Sequence, residues 1–409
     1  MKNKPRIRFK GFTEDWEQRK LGDLMEVTSV KRIHQADWTN SGVRFFRARD
    51  IVSSMNNEEV DNPVFISEDK YEEYSRISGK VIEGDLLVTG VGTIGVPYLI
   101  KDDNPLYFKD GNIIWFKNNN ILNGKYFYYC FQNNHIQSQI YSASGKGTVG
   151  TYTIENGKKT SISYPSLKEQ IKIGKLLDTM TIMITLHQRK LEKLKLAKKA
   201  LLQKLFPKNG SKFPELRFKG FADAWEQRKL GDFTNQINTF VNPEDVKLPL
   251  WSLTAEAGLI EKSDRYERDF LVKKKDQFKR IETNTLVYNP MNITIGSIDI
   301  YTGFYPIAVS GYYVSIVYDK NIDTDFLKEV LLLPSSLKMY KNYATGSLIE
   351  RQRVQYPTFS KLQLLFPNLD EQKAIGQLFK SLNLNITLHQ RKLDKLQEVK
   401  IGLLQKMFV

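Results

Sequence analysis

A glycine-rich segment is the part of this sequence that most resembles a catalytic motif. Gly90-Val-Gly-Thr-Ile-Gly95 has the G-x-G-x-x-G spacing with which dinucleotide-binding folds hold a pyrophosphate. That chemistry requires a helix to begin at the third glycine, whereas residues 96–100 (VPYLI) have the composition of a strand. The segment therefore predicts a tight loop between two strands rather than a nucleotide site.

Other catalytic motifs fit no better. The tripeptides at 104–106 (NPL) and 289–291 (NPM) lack the second proline and the aromatic residue expected in methyltransferases that act on exocyclic amines. The acidic pairs at 68–69 and 102–103 do not recur in the other half of the chain. The sequence has no G-x-x-x-x-G-K-[S/T] phosphate loop, and its four histidines are few for metal or triad sites. We therefore expect a non-catalytic chain that binds no metal ion and no cofactor itself.

Basic and polar residues in several loops suit contacts with DNA instead. The net charge of +15 favours a polyanionic partner, because lysine and arginine displace counterions from phosphates. We interpret residues 45–50 as an extended segment with Arg47 and Arg49 on one side. Arginine can bind guanine and glutamine can bind adenine, while serine and threonine contact bases or phosphates; ordinary solvated loops are the alternative. The candidates for DNA contact are Arg47, Arg49, Thr93, Lys146, Thr148, Tyr152, Asn289, Ser347, Arg351, Gln352 and Arg353.

The elements that must position these loops occur twice along the chain. Thirteen of the sixteen residues at 8–23 (RFKGFTEDWEQRKLGD) recur at 217–232, and residues 184–191 (ITLHQRKL) recur unchanged at 386–393. The chain is therefore one unit in two copies.

The segments between the repeated ends have diverged. Residues 24–164 and 233–366, called here the first and the second body, show almost no resemblance to each other. Each copy opens with a segment that we interpret as a short helix, with an apolar side carrying Trp16 in one copy and Trp225 in the other. Both bodies mix strand and helix patterns, which predicts an α+β fold. The predicted strands are 85–89, 112–116, 285–288 and 312–318, and the predicted helices are 124–139 and 325–340.

A basic helix follows each body, and its apolar residues alternate three and four positions apart. That spacing is typical of a coiled-coil seam. The first helix, at 168–206, would be roughly 55 to 60 Å long. Gly174 and Gly376 interrupt the two helices at matching positions, where a kink or a close contact is expected. The predicted seam comprises Ile184, His187, Leu191, Leu194, Leu201 and Leu205 in one helix, and Ile386, His389, Leu393, Leu396, Leu403 and Met407 in the other.

We interpret the remaining seam residues and the only cysteine as structural. Each seam histidine is expected to be a packed, hydrogen-bonded residue rather than a metal ligand or catalytic group. Lys198 and Lys400 are expected to extend their amines to solvent or to specify register. Cys130 fits a reducing cytoplasm, where we expect the protein to reside, and predicts a buried small side chain. No apolar run approaches the roughly 20 residues that span a bilayer.

The fold class expected is therefore α+β, with two mixed α/β bodies separated by two long helices that form an antiparallel coiled coil with a pseudo-twofold internal repeat. The expected division places the first domain, which contains the first body, at 1–166 and its helix at 167–207. It places the second domain, which contains the second body, at 208–368 and its helix at 369–409.

This doubled order resembles the specificity subunit of type I restriction-modification systems. The shared features are Trp-Glu-Gln-Arg-Lys-Leu-Gly-Asp, Gly-Thr-Ile-Gly, Pro-x-Leu-x-Glu-Gln before each long helix, and the closing Leu-Leu-Gln-Lys-Leu/Met-Phe. Each motif is weak alone, but their order is specific and the resemblance covers all 409 residues.

The resemblance implies that each body is a target recognition domain reading one half of a bipartite site on double-stranded DNA. It implies that the helices set the unspecified gap and that two modification subunits dock on the chain. Those subunits would bring S-adenosylmethionine and adenine N6-methylation, and restriction subunits would bring ATP, Mg and cleavage. The alternatives are a scaffold that binds only proteins, and a fused restriction enzyme with its own active site.

Overall fold

The computed structural model describes residues 4–56, 58–118, 120–144, 150–208, 210–242, 247–262, 277–346 and 352–409. The chain forms two compact units, one comprising Met1–Arg189 with Gln390–Val409 and the other Lys190–His389. Each unit combines one body with the first part of one long helix and the last part of the other.

The first unit contains two four-stranded sheets and one two-stranded sheet, with orders β2-β9-β6-β7, β3-β5-β4-β8 and β1-β10. Neighbouring strands are antiparallel except β4 and β8. The strands are β1 Glu17–Lys20, β2 Glu26–Thr28, β3 Trp38–Thr39, β4 Val43–Phe46, β5 Val64–Ile66, β6 Leu86–Thr89, β7 Pro97–Leu99, β8 Leu106–Phe108, β9 Ile113–Lys117 and β10 Ser161–Tyr164. The helices are α1 Leu21–Leu24, α2 Ala48–Met55, α3 Glu68–Ser78, α4 Gly124–Phe131, α5 Asn134–Ala143, α6 Ile154–Lys159 and α7 Leu167–Lys204, of which the last continues into the second unit.

The second unit has sheets with orders β12-β20-β17-β18, β13-β16-β19-β14-β15 and β11-β21. Only the pair β14 and β19 is parallel among its described strands. The strands are β11 Glu226–Lys229, β12 Thr234–Ile237, β13 Phe240–Val241, β14 Leu250–Thr254, β15 Gly258–Glu261, β16 Phe278–Ile281, β17 Thr285–Tyr288, β18 Ile298–Tyr301, β19 Ile307–Ser310, β20 Val314–Tyr318 and β21 Gln363–Phe366. The helices are α8 Thr324–Leu331, α9 Pro334–Tyr343, α10 Tyr356–Phe359 and α11 Leu369–Lys406, of which the last continues into the first unit.

The α+β class and the two long helices predicted from the sequence are confirmed. The prediction that each copy opens with a short helix is wrong, because residues 17–20 form a strand paired antiparallel with β10, and residues 226–229 form a strand paired with β21. The predicted helix at 124–139 is two helices, since Asn133 caps a new one by accepting a hydrogen bond from the amide of His135.

Each long helix meets its own body through the same contacts. Gln170 of α7 accepts a hydrogen bond from the amide of Asn123 at 2.9 Å, and its own amide donates to the carbonyl of Pro165. A Cβ on Gly174 would lie 2.9 Å from the Asn123 side chain and from the amide of Tyr126, so glycine is needed for this close approach. The close contact predicted at this glycine is confirmed.

The second unit repeats this joint. Gln372 of α11 accepts from the amide of Asp323 at 3.1 Å and donates to the carbonyl of Pro367. A Cβ on Gly376 would lie 2.9 Å from the amide of Phe326. Asn123 and Asp323 are the N-caps of α4 and α8, so each glycine packs on the start of a body helix.

The repeated tryptophans lie where the long helices meet the bodies. In the first unit, the Trp16 ring lies 6.5 Å from that of Phe408, at the end of the second long helix. In the second unit, the Trp225 ring lies 5.9 Å from that of Phe206, just after α7. The tryptophans therefore pack their domain against neighbouring helices, as predicted.

Candidate nucleic-acid interface

Three segments of the first body meet at Gly90. Its carbonyl accepts a hydrogen bond from the amide of Tyr152 at 2.8 Å, and its amide donates to the carbonyl of Asn112, also at 2.8 Å. A Cβ on Gly90 would lie 2.5 Å from the carbonyl oxygen of Tyr152. The glycine thus brings the loop after β6, the β8–β9 turn and the segment before α6 side by side.

The glycine-rich loop itself is tightly closed. The Thr89 hydroxyl donates to the carbonyl of Thr93 at 2.5 Å and accepts from the amide of Val96 at 2.9 Å, while the amide of Gly95 donates to the Thr89 carbonyl at 2.7 Å. The chain then continues into β7, so the predicted loop between strands is confirmed and no helix begins at its third glycine. Gly92 and Thr93 are exposed at its tip.

The described residues after α5 lie beside this loop. The amide of Thr151 donates to the carbonyl of Ser144 at 3.2 Å, and the next residue, Tyr152, is bonded to Gly90. Tyr141, in the last turn of α5, is 64% exposed although tyrosine usually buries its ring, so it is available to a ligand.

The second body is built in the same way. The carbonyl of Pro290, after β17, accepts from the amide of Val354 at 3.0 Å. After α9, Thr345 and Arg353 exchange two backbone hydrogen bonds of 2.9 Å. The guanidinium of Arg353 lies 5.9 Å from the centre of the Tyr312 ring, in the β19–β20 turn. The three segments of the first body thus have counterparts here.

The groups exposed at this surface differ between the bodies. The second body presents aromatic and apolar side chains: Tyr312 is 62% exposed, Ile295 64% and Tyr343 54%. Asn289 is partly buried, and its side-chain oxygen accepts from the amide of Met291 at 3.0 Å. Three exposed tyrosines, Tyr141, Tyr312 and Tyr343, were not among the candidates predicted from the sequence. Gly311, a turn residue directly before Tyr312, was a signal that this tyrosine lies outside its strand.

Four candidates for DNA contact, Lys146, Thr148, Ser347 and Arg351, lie outside the described residues. Thr93 is exposed, and Gln352 and Arg353 are partly buried. In the second body, the hydrogen bond from the amide of Val354 to the carbonyl of Pro290 places Asn289 near Gln352 and Arg353.

The prediction that Tyr152 contacts DNA is wrong. Its side chain is 2% exposed, and its hydroxyl forms a 2.7 Å hydrogen bond with that of Thr160. Burial raises the pKa of the Tyr152 phenol well above its ordinary value. Tyr152 is a core residue that fixes the loop next to it.

The prediction of an extended segment carrying Arg47 and Arg49 is also wrong. The strand ends at Phe46, Arg47 caps α2, and Arg49 lies within that helix. Arg47 donates to the buried carboxylate of Asp50 at 2.9 and 3.0 Å and to the carbonyl of Asn62, so its guanidinium holds the helix start to the following loop. Arg49 is more exposed and donates weakly, at 3.4 Å, to the carbonyl of Asp61.

The helix seam follows the predicted spacing. Leu191, Leu205, Leu393 and Met407 are buried, and the other eight predicted positions are partly buried. In the second unit the Lys198 amine lies 3.1 Å from the buried carboxylate of Glu329, which also accepts from Asn383 at 2.7 Å.

The equivalent lysine in the first unit has a different partner. The Lys400 amine lies 5.4 Å from the centre of the Tyr129 ring, and burial lowers its pKa. His187 and His389 are partly buried. Cys130 is buried as predicted, which raises the pKa of its thiol well above the ordinary range.

The described residues offer neither a metal site nor a membrane span. They contain no group of three or more His, Cys, Asp or Glu side chains placed to hold a metal ion. In the same residues, no helix combines the length and the apolar character needed to cross a bilayer.

Each body thus brings loop segments side by side and is joined to a long helix by a repeated frame. Residues 13–196 match the family model of the Type I restriction modification DNA specificity domain. The predicted resemblance to specificity subunits of type I restriction-modification systems is thereby confirmed, and the matched segment belongs to this domain family.

Curated relatives and a solved structure agree with this family. The putative type I restriction enzyme specificity subunit S.HindORF215P of Haemophilus influenzae is 31% identical over 169 residues, which cover 40% of this chain and 41% of that protein. The putative type I restriction enzyme MjaX specificity subunit of Methanocaldococcus jannaschii is 22% identical over 404 residues, covering 95% and 91% of the two chains. The crystal structure of the type I restriction-modification system S subunit from M. genitalium has a TM-score of 0.65 at 14% identity over 99% of both chains, which shows a shared fold.

Proposed function

We propose that this chain is the sequence-reading component of a type I restriction-modification complex and has no catalytic activity of its own. Each body reads one half of a bipartite, asymmetric site on double-stranded DNA, and the two long helices set the unspecified gap. The observation that carries this proposal is a similar juxtaposition of loop segments in both bodies, with different exposed side chains. In the first body the hydrogen bonds at Gly90 join the segments, and in the second the hydrogen bond to Pro290 and the contact of Arg353 with the Tyr312 ring do so.

The chemistry of these loops suits DNA. In the second body, Tyr312 offers an exposed ring that can stack on a base or pack on a sugar, and Arg353 beside it offers donors for guanine or a phosphate. In the first body, Thr93 and the open glycine Gly92 allow the backbone to approach the duplex closely. The surplus of positive charge supplies attraction that does not depend on sequence.

We further propose that two modification subunits dock on the repeated features. Ile182 and Leu186 of α7 are 53% and 59% exposed, and the equivalent Leu384 and Leu388 of α11 are 60% and 44% exposed. An apolar pair four residues apart is one face of a helix, and its repetition suits two copies of one partner. S-adenosylmethionine would be bound by those subunits, and ATP and Mg by restriction subunits.

The repeated strands offer a second common surface. Residues 17–20 (EQRK) are identical to residues 226–229, yet the first set is fully exposed and the second nearly so. The fold requires no particular side chains at exposed strand positions, whereas a shared partner does.

The test is a methylation map of a methylation-free host that expresses this chain with the modification subunit of the same organism. Replacing residues 24–164 with the first body of another such chain should change one half of the methylated sequence only. A change in both halves, or in neither, refutes the assignment of one half-site to each body.

Single substitutions locate the reading surface more finely. Tyr312→Ala and Arg353→Ala should relax the bases accepted in one half-site, whereas Tyr305→Ala should leave both halves unchanged. Tyr305 is the matched control, because it is 77% exposed in the same body but lies in the β18–β19 turn. If the purified chain shows no salt-dependent DNA binding, the protein-only scaffold is the better model.

A further inference from the structure

Two equivalent ion pairs between body and helix have opposite charge order. In the first unit, Lys125 of α4 donates to the carboxylate of Asp178 in α7 at 2.5 Å. In the second unit, Lys380 of α11 donates to the carboxylate of Asp325 in α8 at 2.9 Å. The body carries the positive charge in one unit and the negative charge in the other.

The surrounding contacts show that the two pairs occupy the same place. Asp178 and Lys380 each lie one helical turn after the glycine that packs on the body helix, and Lys125 and Asp325 each lie two residues after its N-cap. Because the glycine and glutamine contacts of this joint are the same in both units, they accept either body.

We propose that the reversed ion pair makes each long helix specific for its own body, so that a body exchanged to the other position loses stability. A second body seated on α7 would place Asp325 against Asp178, and a first body seated on α11 would place Lys125 against Lys380. Each error replaces an attraction with a repulsion of like charges. In the natural chain each body is covalently joined to its own helix, because β10 ends at Tyr164 and α7 begins at Leu167. The ion pair therefore acts when bodies are exchanged between positions, where it penalises the wrong combination as well as favouring the correct one.

The seam lysines Lys198 and Lys400 do not distinguish one body from the other, which leaves the reversed ion pair as the contact that does. Lys198 pairs with the carboxylate of Glu329, whereas Lys400 lies over the Tyr129 ring. A lysine amine interacts favourably with either group, so exchanging the bodies would leave both lysines with a partner. The distinction between the two bodies therefore rests on the ion pair that each long helix forms one turn after its glycine. This inference does not depend on what the bodies bind.

The experiment uses the full chain and an exchanged chain in which residues 24–164 and 233–366 have changed places. Lys125→Asp and Asp325→Lys are introduced together into both chains. In the natural chain they oppose like charges and should lower the melting temperature by roughly 1 to 4 °C for each pair at low salt. In the exchanged chain the same substitutions restore both attractions and should raise it by a similar amount.

Salt and a net-charge control separate this effect from packing. Both shifts should disappear in 1 M NaCl, where the screening length is about 3 Å. Lys125→Asp alone lowers the net charge by two, so Lys361→Asp, an exposed position between α10 and β21, serves as its control and should change the melting temperature by less than Lys125→Asp. Shifts of the same sign in the natural and exchanged chains, or shifts that persist in 1 M NaCl, would overturn the proposal. Should the exchanged chain not fold, the natural chain still decides the proposal, because an unchanged melting temperature there refutes it.

Discussion

The ion pair between Arg8 and Glu169 is expected to be a major contributor to the stability of the first unit. The guanidinium donates two hydrogen bonds of 2.7 Å to the two carboxylate oxygens of Glu169, whose side chain is fully buried. This is the bidentate geometry in which arginine and carboxylate interact most strongly. The pair joins the start of the chain to the first turn of α7.

Arg8→Met removes the partner but leaves the buried carboxylate. Breaking a buried pair from one side costs about 3 to 5 kcal/mol, because the remaining charge is no longer compensated. For a unit of about 200 residues, each kcal/mol corresponds to roughly 2 to 4 °C in melting temperature. The expected loss is therefore about 6 to 20 °C.

The assay is thermal unfolding combined with hydrogen exchange read by mass spectrometry, which separates the two units. Arg8→Met should lower protection in the first unit, while the equivalent Arg217→Met, which breaks the 2.6 Å pair with Glu371, should lower it in the second. Arg8→Met with Glu169→Met should recover most of the loss, because well-packed apolar residues replace buried ion pairs at little cost. The reasoning fails if Arg8→Met is neutral, or if the double variant is as unstable as the single one.

Two further predictions concern close packing. Gly174→Ala and Gly376→Ala should each destabilise the protein by about 1 to 3 kcal/mol through overpacking. Gly402→Ala, with nothing within 4 Å of its added Cβ, should instead stabilise the protein by about 0.5 to 1 kcal/mol through helix propensity. Urea unfolding measures all three variants, and equal effects would refute the close contact at Gly174 and Gly376. Tyr152→Phe should lower the free energy of unfolding by about 0.5 to 1.5 kcal/mol, because it removes the hydrogen bond to Thr160. The methylated sequence should stay unchanged, and an altered half-site would show that Tyr152 does contact DNA.

The sequence alone predicts the elements whose pattern is local. The strand Thr285–Tyr288 has the predicted bounds, and the two long helices, Leu167–Lys204 and Leu369–Lys406, follow the seam spacing. Their periodicity extends over many turns, so few competing structures satisfy it. The prolines before both helices and the N-cap residues mark their boundaries in the same local way.

Elements decided by distant pairing were predicted poorly. Residues 17–20 (EQRK) have good helix formers, yet they form a strand because residues 161–164 supply a partner almost 150 positions away. Tertiary pairing overrides helix propensity of a few tenths of a kcal/mol per residue. The pairing of Arg8 with Glu169 is equally distant and leaves no local signal.

The candidate site was predicted in its loops but not in its side chains. Thr93, Asn289 and Arg353 do lie in loops that the fold brings together, as glycine, proline and polar residues indicated. The prediction that Tyr152 contacts DNA was wrong because a tyrosine next to a loop can pack in the core as readily as it can bind a ligand, and only its burial distinguishes the two roles. The prediction for Arg47 was wrong because Asp50 can be recognised as its partner only once the start of α2 is known.

The contrast between Tyr152 and Val354 explains how the bodies could diverge without losing the site. Both residues are buried at the same junction, and both donate a backbone amide to the loop after an equivalent strand. A main-chain hydrogen bond makes no demand on side-chain identity, so a tyrosine and a valine serve equally well once the local core accommodates them. The placement of the loops is thus fixed by backbone bonds, while the side chains that face outward, such as Thr93 in one body and Tyr312 in the other, are free to vary. Substitutions at the junction should therefore alter stability, and substitutions at the exposed tips should alter recognition.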